Sequence, residues 1–278
     1  MRTVETVVAN TMVDSQNERM SREALTGLVD SITRHIVPMG IEHDPRIPPV
    51  GRVVSGFVRD RPDGESEAVV VCEVFESDDD LNALTVDDRV LVIHDDLAPG
   101  ALEFSYDFTY RHDEDQADIQ AIAAVLGSSP RYEVKKSADP ISVLTLAGAF
   151  VLGGIATGFL NAVGTDGWQT IKSHLARLAE RRASRSGEQL LVFRAVVRDS
   201  GGCVIEANTV LSDPTPEQVD RFFSAGLAEV DDLVNRAMAA SREIRQLTMS
   251  SDGTSVQIEF GIRRDGVPLG IEDTRRGH

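Results

Sequence analysis

The sequence predicts an α+β fold with an N-terminal β-rich lobe containing one helix, a central apolar helix, and a C-terminal ββαββ module. Three observations carry this expectation. Short alternating apolar runs separated by Gly, Pro and Asp turns occupy the first 110 residues. An uncharged segment covers 141–163, and the closing ninety or so residues place a hairpin on each side of one well-capped helix. The implied divisions are 1–130, 131–187 and 188–278.

Residues 2–13, RTVETVVANTMV, alternate as a β-strand does. Ser21 is placed to cap a helix on which Leu25, Leu28, Val29 and Ile32 share a face; Pro38 and Gly40 stop it. Strand-like runs follow at 50–59, 67–76 and 89–94, the first two joined by the turn RPDGE. Cys72, inside AVVVCEVF, reads as a small buried residue, and it is too far from Cys203 to form a metal-ligand spacing. The acidic run Glu76-Ser77-Asp78-Asp79-Asp80 reads as a solvated loop, since it lacks the alternating ligands and the Gly of a calcium loop. A strand over 101–110 and a helix over 115–126, with Ile119, Ile122, Ala123 and Leu126 in phase, complete the lobe.

The segment ISVLTLAGAFVLGGIATGFLNAV, 141–163, meets the length of roughly 20 residues that spans a bilayer as a helix. Gly154 and Gly158 form a GxxxG pair of the kind that brings membrane helices together. Trp168 would anchor it at the interface, and Lys172, Arg177, Arg181, Arg182 and Arg185 would keep the C-terminal flank on the cytoplasmic side. A Gly-rich helix buried in the fold or in an oligomer satisfies the same pattern, as does an apolar hairpin exposed on activation.

Beyond it, EQLLVFRAVVRD and CVIEANTVLS make a hairpin across Ser200-Gly201-Gly202. Thr215, Pro216 and Gln218 open the best helix in the chain with a capping box. Val219, Phe222, Phe223, Leu227, Val230, Leu233 and Val234 form its buried face, and a second hairpin turns at Asp252-Gly253. This module holds no catalytic cluster and reads as a packing, binding or self-association unit.

Charge excludes one class of partner. Residues 1–130 carry 26 Asp and Glu against 10 Arg and no Lys, so no nucleic-acid surface is expected there. The N-terminus has no apolar core of a secretory signal, which places the protein in the cytoplasm, at the inner face of a membrane if 141–163 engages one. Arg far outnumbers Lys, pointing to a GC-rich coding sequence.

The residues able to do chemistry in the N-terminal half are His43-Asp44, His94-Asp95-Asp96, Ser105 and His112-Asp113. A nucleophilic hydroxyl needs an imidazole base, and that base needs a third group to hold its tautomer. A metal site from His43, His94 and His112 lacks the i, i+4 spacing of a helix-borne centre, so neither a metal nor a cofactor is expected.

The order of these pieces resembles the capsid-maturation (prohead) proteases of tailed phages. It runs as a strand, DSQNERMSREAL opening a helix, IEHDPRIPPVGRV, the turn RPDGE, and the strand SEAVVVCEVFE. The resemblance covers about residues 3–112. It implies a β-barrel serine-protease fold, shared with the herpesvirus assembly proteases, with His43 as the base and Ser105, in LEFSYDF, as the nucleophile. His94, Glu103, Asp107 and His112 remain alternatives for a third member. The expected function is therefore a prohead-protease-like domain in a membrane-associated or self-assembling protein, cleaving a protein partner or itself. The alternative is a non-enzymatic bacterial membrane-associated or assembly effector that acts through 141–163. Expected partners are another protein, a second copy, or a membrane.

Overall fold

The computed structural model describes residues 2–13, 19–40, 44–76, 89–93, 97–133, 141–183, 185 and 187–270. The protein is α+β and divides into two compact units, 1–92 with 262–268, and 93–261 with 269–278.

The first unit is a sheet in the order β1 (Arg2–Asn10), β4 (Ser66–Val74), β3 (Gly51–Asp60), β2 (Val37–Met39), with every adjacent pair antiparallel. Helix α1 (Arg22–Arg34) starts where its cap predicts: Ser21 Oγ accepts the Ala24 N–H at 3.1 Å. Its apolar stripe covers one sheet face, Leu25 and Val29 meeting Ala9, Ala68 and Val58, while Ile32 packs with Val53, Val70 and buried Cys72. A β-bulge at Val8 turns Ala9 toward α1 and leaves Val7 on the opposite face, in line with Val69 and Phe57. Among the described residues this sheet ends at β1 on one side and at β2 on the other. Of the run 89–94, only an isolated bridge from Leu91 to Ile36 forms, and His94 lies outside the described residues. Residues 77–80 of the acidic run also lie outside them.

The second unit is built on one larger sheet. Its strands are β5 (Leu102–Asp107), β6 (Arg131–Glu133), β7 (Ser142–Val151), β8 (Gln189–Arg198), β9 (Val204–Ser212), β10 (Ile244–Ser251), β11 (Val256–Arg263) and β12 (Pro268–Leu269). Their order is β12-β11-β10-β9-β8-β7-β5-β6. The helices are α2 (Asp113–Val125), α3 (Ile155–Ala183), α4 (Pro216–Arg221) and, after a π-helical turn at Phe222–Gly226, α5 (Leu227–Ala240).

The central apolar helix expected over 141–163 is corrected by this sheet. Residues 142–151 are strand β7, which pairs with β8 along its whole length and with β5 on its other side. A strand buried on both faces loses the apolar–polar alternation and is apolar at nearly every position, so its sequence cannot be told from that of a buried helix. The run breaks at Gly153, whose φ of +77° is a left-handed conformation that glycine adopts without strain, and α3 begins at Ile155. The GxxxG pair also has another role: a Cβ at Gly158 would come within 2.9 Å of the Phe150 ring, so glycine admits α3 onto β7. Gly164 interrupts α3 with non-helical angles. Among the described residues no helix is long and apolar enough to cross a membrane. Trp168, expected at an interface, is buried 4.5 Å from the Phe223 ring centroid.

The last ninety residues form the expected elements but not a separate sheet, because β8 continues the ladder into β7. Thr215 and Gln218 make the predicted reciprocal cap, Thr215 Oγ1 accepting the Gln218 N–H at 3.3 Å and Gln218 Oε1 the Thr215 N–H at 2.8 Å. Phe193 of β8 touches both Phe159 of α3 and Phe222, so both connections lie on one sheet face. β7 and β8 are parallel, β9 and β10 are parallel, and β8 and β9 are antiparallel, in sequential order. Two crossovers that step the same way, on the same face, between strands of opposite direction must have opposite hands. One is therefore left-handed, against a rule that about 98% of such units obey.

Candidate functional site

Ser105 sits on β5, on the face turned away from the helices. It is almost wholly buried, and its Oγ donates to Glu133 Oε1 at 2.6 Å. β5 and β6 run parallel with Ser105 opposite Arg131, which carries Glu133 close to the hydroxyl. Glu103, Arg131, Ala147, Arg194 and Leu97 complete a cavity of about 20 Å³ around this pair. That space admits about one water and no peptide side chain.

The polar band continues across the sheet. Arg194 Nε donates to Asn208 Oδ1 at 3.1 Å, and Asn208 Nδ2 and Gln246 Nε2 donate to buried Glu206 at 2.8 and 2.7 Å. Glu206 is thus a buried carboxylate with several donors and a cation 3.8 Å away, which satisfies its charge without water. The band separates two apolar patches on the same face: Ile141, Val143, Leu190, Val192 and Val210 on one side, and Leu97, Ala147, Ala149 and Val196 on the other.

His43, the expected base, lies outside the described residues, as do His94, Asp95 and Asp96. Asp44, its sequence neighbour, is ion-paired with Arg46 at 2.7 Å. His112 precedes α2 as its N-cap residue without a side-chain cap bond, and Asp113 sits in that helix's first turn. Asp107 ties β5 to β7: one carboxylate oxygen accepts the Val143 N–H at 2.7 Å, the other the Thr109 N–H and hydroxyl. Among the described residues, the hydroxyl of Ser105 donates to the Glu133 carboxylate in a cavity that Glu103, Arg131 and Arg194 also line. No group of three or more His, Cys, Asp or Glu is arranged there to hold a metal ion.

Of the basic residues expected beside a membrane, Arg177, Arg181 and Arg185 form an ion lattice between α2 and α3, while Lys172 pairs with Asp220 at 2.9 Å. Asp115, fully buried, accepts from Arg181 at 2.8 Å and Arg185 at 2.5 Å. Asp118 accepts from Arg177, Arg181 and His174 at 2.5–2.7 Å. Burial raises the Asp118 pKa, yet the hydrogen bonds from Arg177, Arg181 and His174 outweigh it and hold it at about 2. Arg177, Arg181 and Arg185 recur every four residues because each must reach the same face of α2.

Glu133, Arg194 and Glu206 were not singled out by sequence reasoning. A signal existed, since LLVFRAVV and VIEANTVL each carry one charge inside an otherwise buried strand. A charge there requires a partner from another strand. Comparison with protein-family models, with curated proteins and with solved structures finds no match for this chain.

Proposed function

We propose that this chain works by associating with another protein, and that edge strand β1 of the first unit is the surface it uses. The observation that supports this is the apolar row on the sheet face away from α1. Val7, Val69 and Phe57 stand directly across from one another on β1, β4 and β3; the outer two are 43% and 40% exposed, and Val69 between them is buried. Val8, Met12 and Val13 extend the exposed apolar surface along the strand edge. An ion pair flanks the row on the same face, exposed Arg59 with Glu67 at 2.8 Å, while Arg52, paired with Glu73 at 2.9 Å, is buried. An apolar centre with a charged rim is the anatomy of a protein interface.

A nine-residue edge strand with exposed valines and no Lys or Pro is a template for strand addition. Residues 1–92 carry 18 Asp and Glu against 9 Arg, so the occupant that fits is an extended basic segment of another protein. A second copy would bring the same negative charge against itself. A serine-peptidase reading, with His43 serving Ser105, is the lesser proposal. The proton of Ser105 is directed at Glu133, and the surrounding cavity is too small for a scissile peptide.

The test is an anisotropy titration with two labelled nonapeptides, one alternating Lys and Val, the other Glu and Val. The Lys peptide should bind at least tenfold more tightly, and the double variant V7S/F57S should lose that tenfold. Equal binding of the two peptides would overturn the reading. So would a concentration-dependent dimer by light scattering that V7S/F57S abolishes, since the occupant would then be a second copy.

A further inference from the structure

The second unit holds a concave site that the surface on β1 does not explain. Between α5 and β11 lies a groove of about 410 Å³, within the range of sites that bind small molecules and peptide segments. Glu229, Leu233, Arg236, Ala237 and Ala240 line one wall, at the spacing of a single helix face. The other wall is Val256, Gln257 and Ile258. Three consecutive strand residues alternate faces, so the groove runs along the edge of β11 and not beneath one side of it. On that side the described sheet continues only as β12, two residues long, at the far end of the strand.

The floor is apolar and buried: Leu233, Ala237, Val256 and Ile258 are each under 10% exposed. The ends are charged with opposite sign. Glu229 marks one end, where its Oε2 accepts the Val256 N–H at 2.9 Å, and a carboxylate has capacity for further donors. Arg236 marks the other, paired at 3.1 Å with Asp232 in an exposed i, i+4 contact that an incoming carboxylate can exchange at little cost. The seven-residue step from 229 to 236 spans roughly 10 Å along the helix. Same-face positions i and i+4 of an extended strand lie about 13 Å apart, within reach of long side chains.

We infer that this groove binds an extended peptide segment that adds beside β11, with one apolar side chain on the floor, a basic side chain at Glu229 and an acidic one at Arg236. The chemistry required is main-chain pairing along a strand edge plus a bipolar rim. It selects a segment of mixed charge, whereas β1 selects a basic one.

Three acetylated, amidated peptides test it by calorimetry on the full chain: Lys-Thr-Leu-Thr-Glu, Lys-Thr-Leu-Thr-Lys and Glu-Thr-Leu-Thr-Glu. The mixed-charge peptide should bind about tenfold more tightly than either of the others. Arg236→Glu should invert the order, favouring the Lys/Lys peptide by a similar factor; circular dichroism on this exposed-site variant checks that the fold is kept. V7S/F57S should leave all three affinities unchanged, which separates this groove from β1. Absence of binding by all three peptides, or a preference that Arg236→Glu does not alter, would overturn the inference.

Discussion

The two sheets handle their faces differently. The second unit lays α2, α3 and α4–α5 on one face over its largest core, with Phe159, Trp168, Phe193, Phe222 and Phe223 packed together at its centre, and keeps two smaller buried clusters on the other face. Among its described residues the first unit has one helix, with two small clusters beneath it, and an opposite face that carries Arg–carboxylate pairs beside an apolar row. On the face away from α1, Val7 and Phe57 stay exposed although Val69 and Arg52 are buried, and these two side chains mark the place where association is proposed. The larger unit spends its charges internally, in the α2–α3 lattice and the band around Glu206.

Core substitutions give the largest expected effects. Phe223→Ala removes a ring that touches four other aromatic side chains and should cost about 3–5 kcal/mol. Leu25→Ala, in the smaller cluster under α1, should cost about 2 kcal/mol, because a thin core collapses more fully around a cavity. Urea unfolding, with hydrogen exchange followed separately in 102–251 and 22–74, measures both. A larger loss for Leu25→Ala would break the comparison.

Acid comes next. Asp118 is held well below the value near 3.9 of an unfolded carboxyl, so its contribution is complete above about pH 4 and is lost as pH falls toward 2. At pH 7 that contribution is about 1–2 kcal/mol after allowing for the solvent-facing side of Arg177. Asp118→Asn should lower stability by this amount at neutral pH and flatten the acid limb between pH 4 and 2. Urea midpoints across that range would show it, and an unchanged limb would remove Asp118 from the account.

The smallest effect sharpens the boundary between local and tertiary control. Thr215→Ala deletes one half of the capping box and should cost about 1 kcal/mol. A loss of less than a few tenths would mean that packing around Phe222 and Phe223 alone starts this helix.

Legibility followed the range of the interaction. Ser21 and Thr215 announced their helices because a cap is satisfied within four residues, and Cys72 was buried where its valine neighbours placed it. The succession of strands and helix after residue 188 could be read for the same reason. Residues 141–151 could not, since full burial erases the alternation that marks a strand. Ser105 was visible as a hydroxyl, but its partner Glu133 lies 28 positions away on a three-residue strand.

By itself the sequence determined the α+β class, the capped helices, the hairpin turns and the acidic bias of the first half. Each is set by neighbouring side chains or by composition. Only the tertiary structure decided that β7 joins β5 to β8 in one sheet, that the basic stretch of α3 answers Asp115 and Asp118, and that one crossover is left-handed. These depend on which distant strand or helix supplies the partner. Main-chain hydrogen bonds and buried charges must be satisfied somewhere, but local pattern does not say by whom.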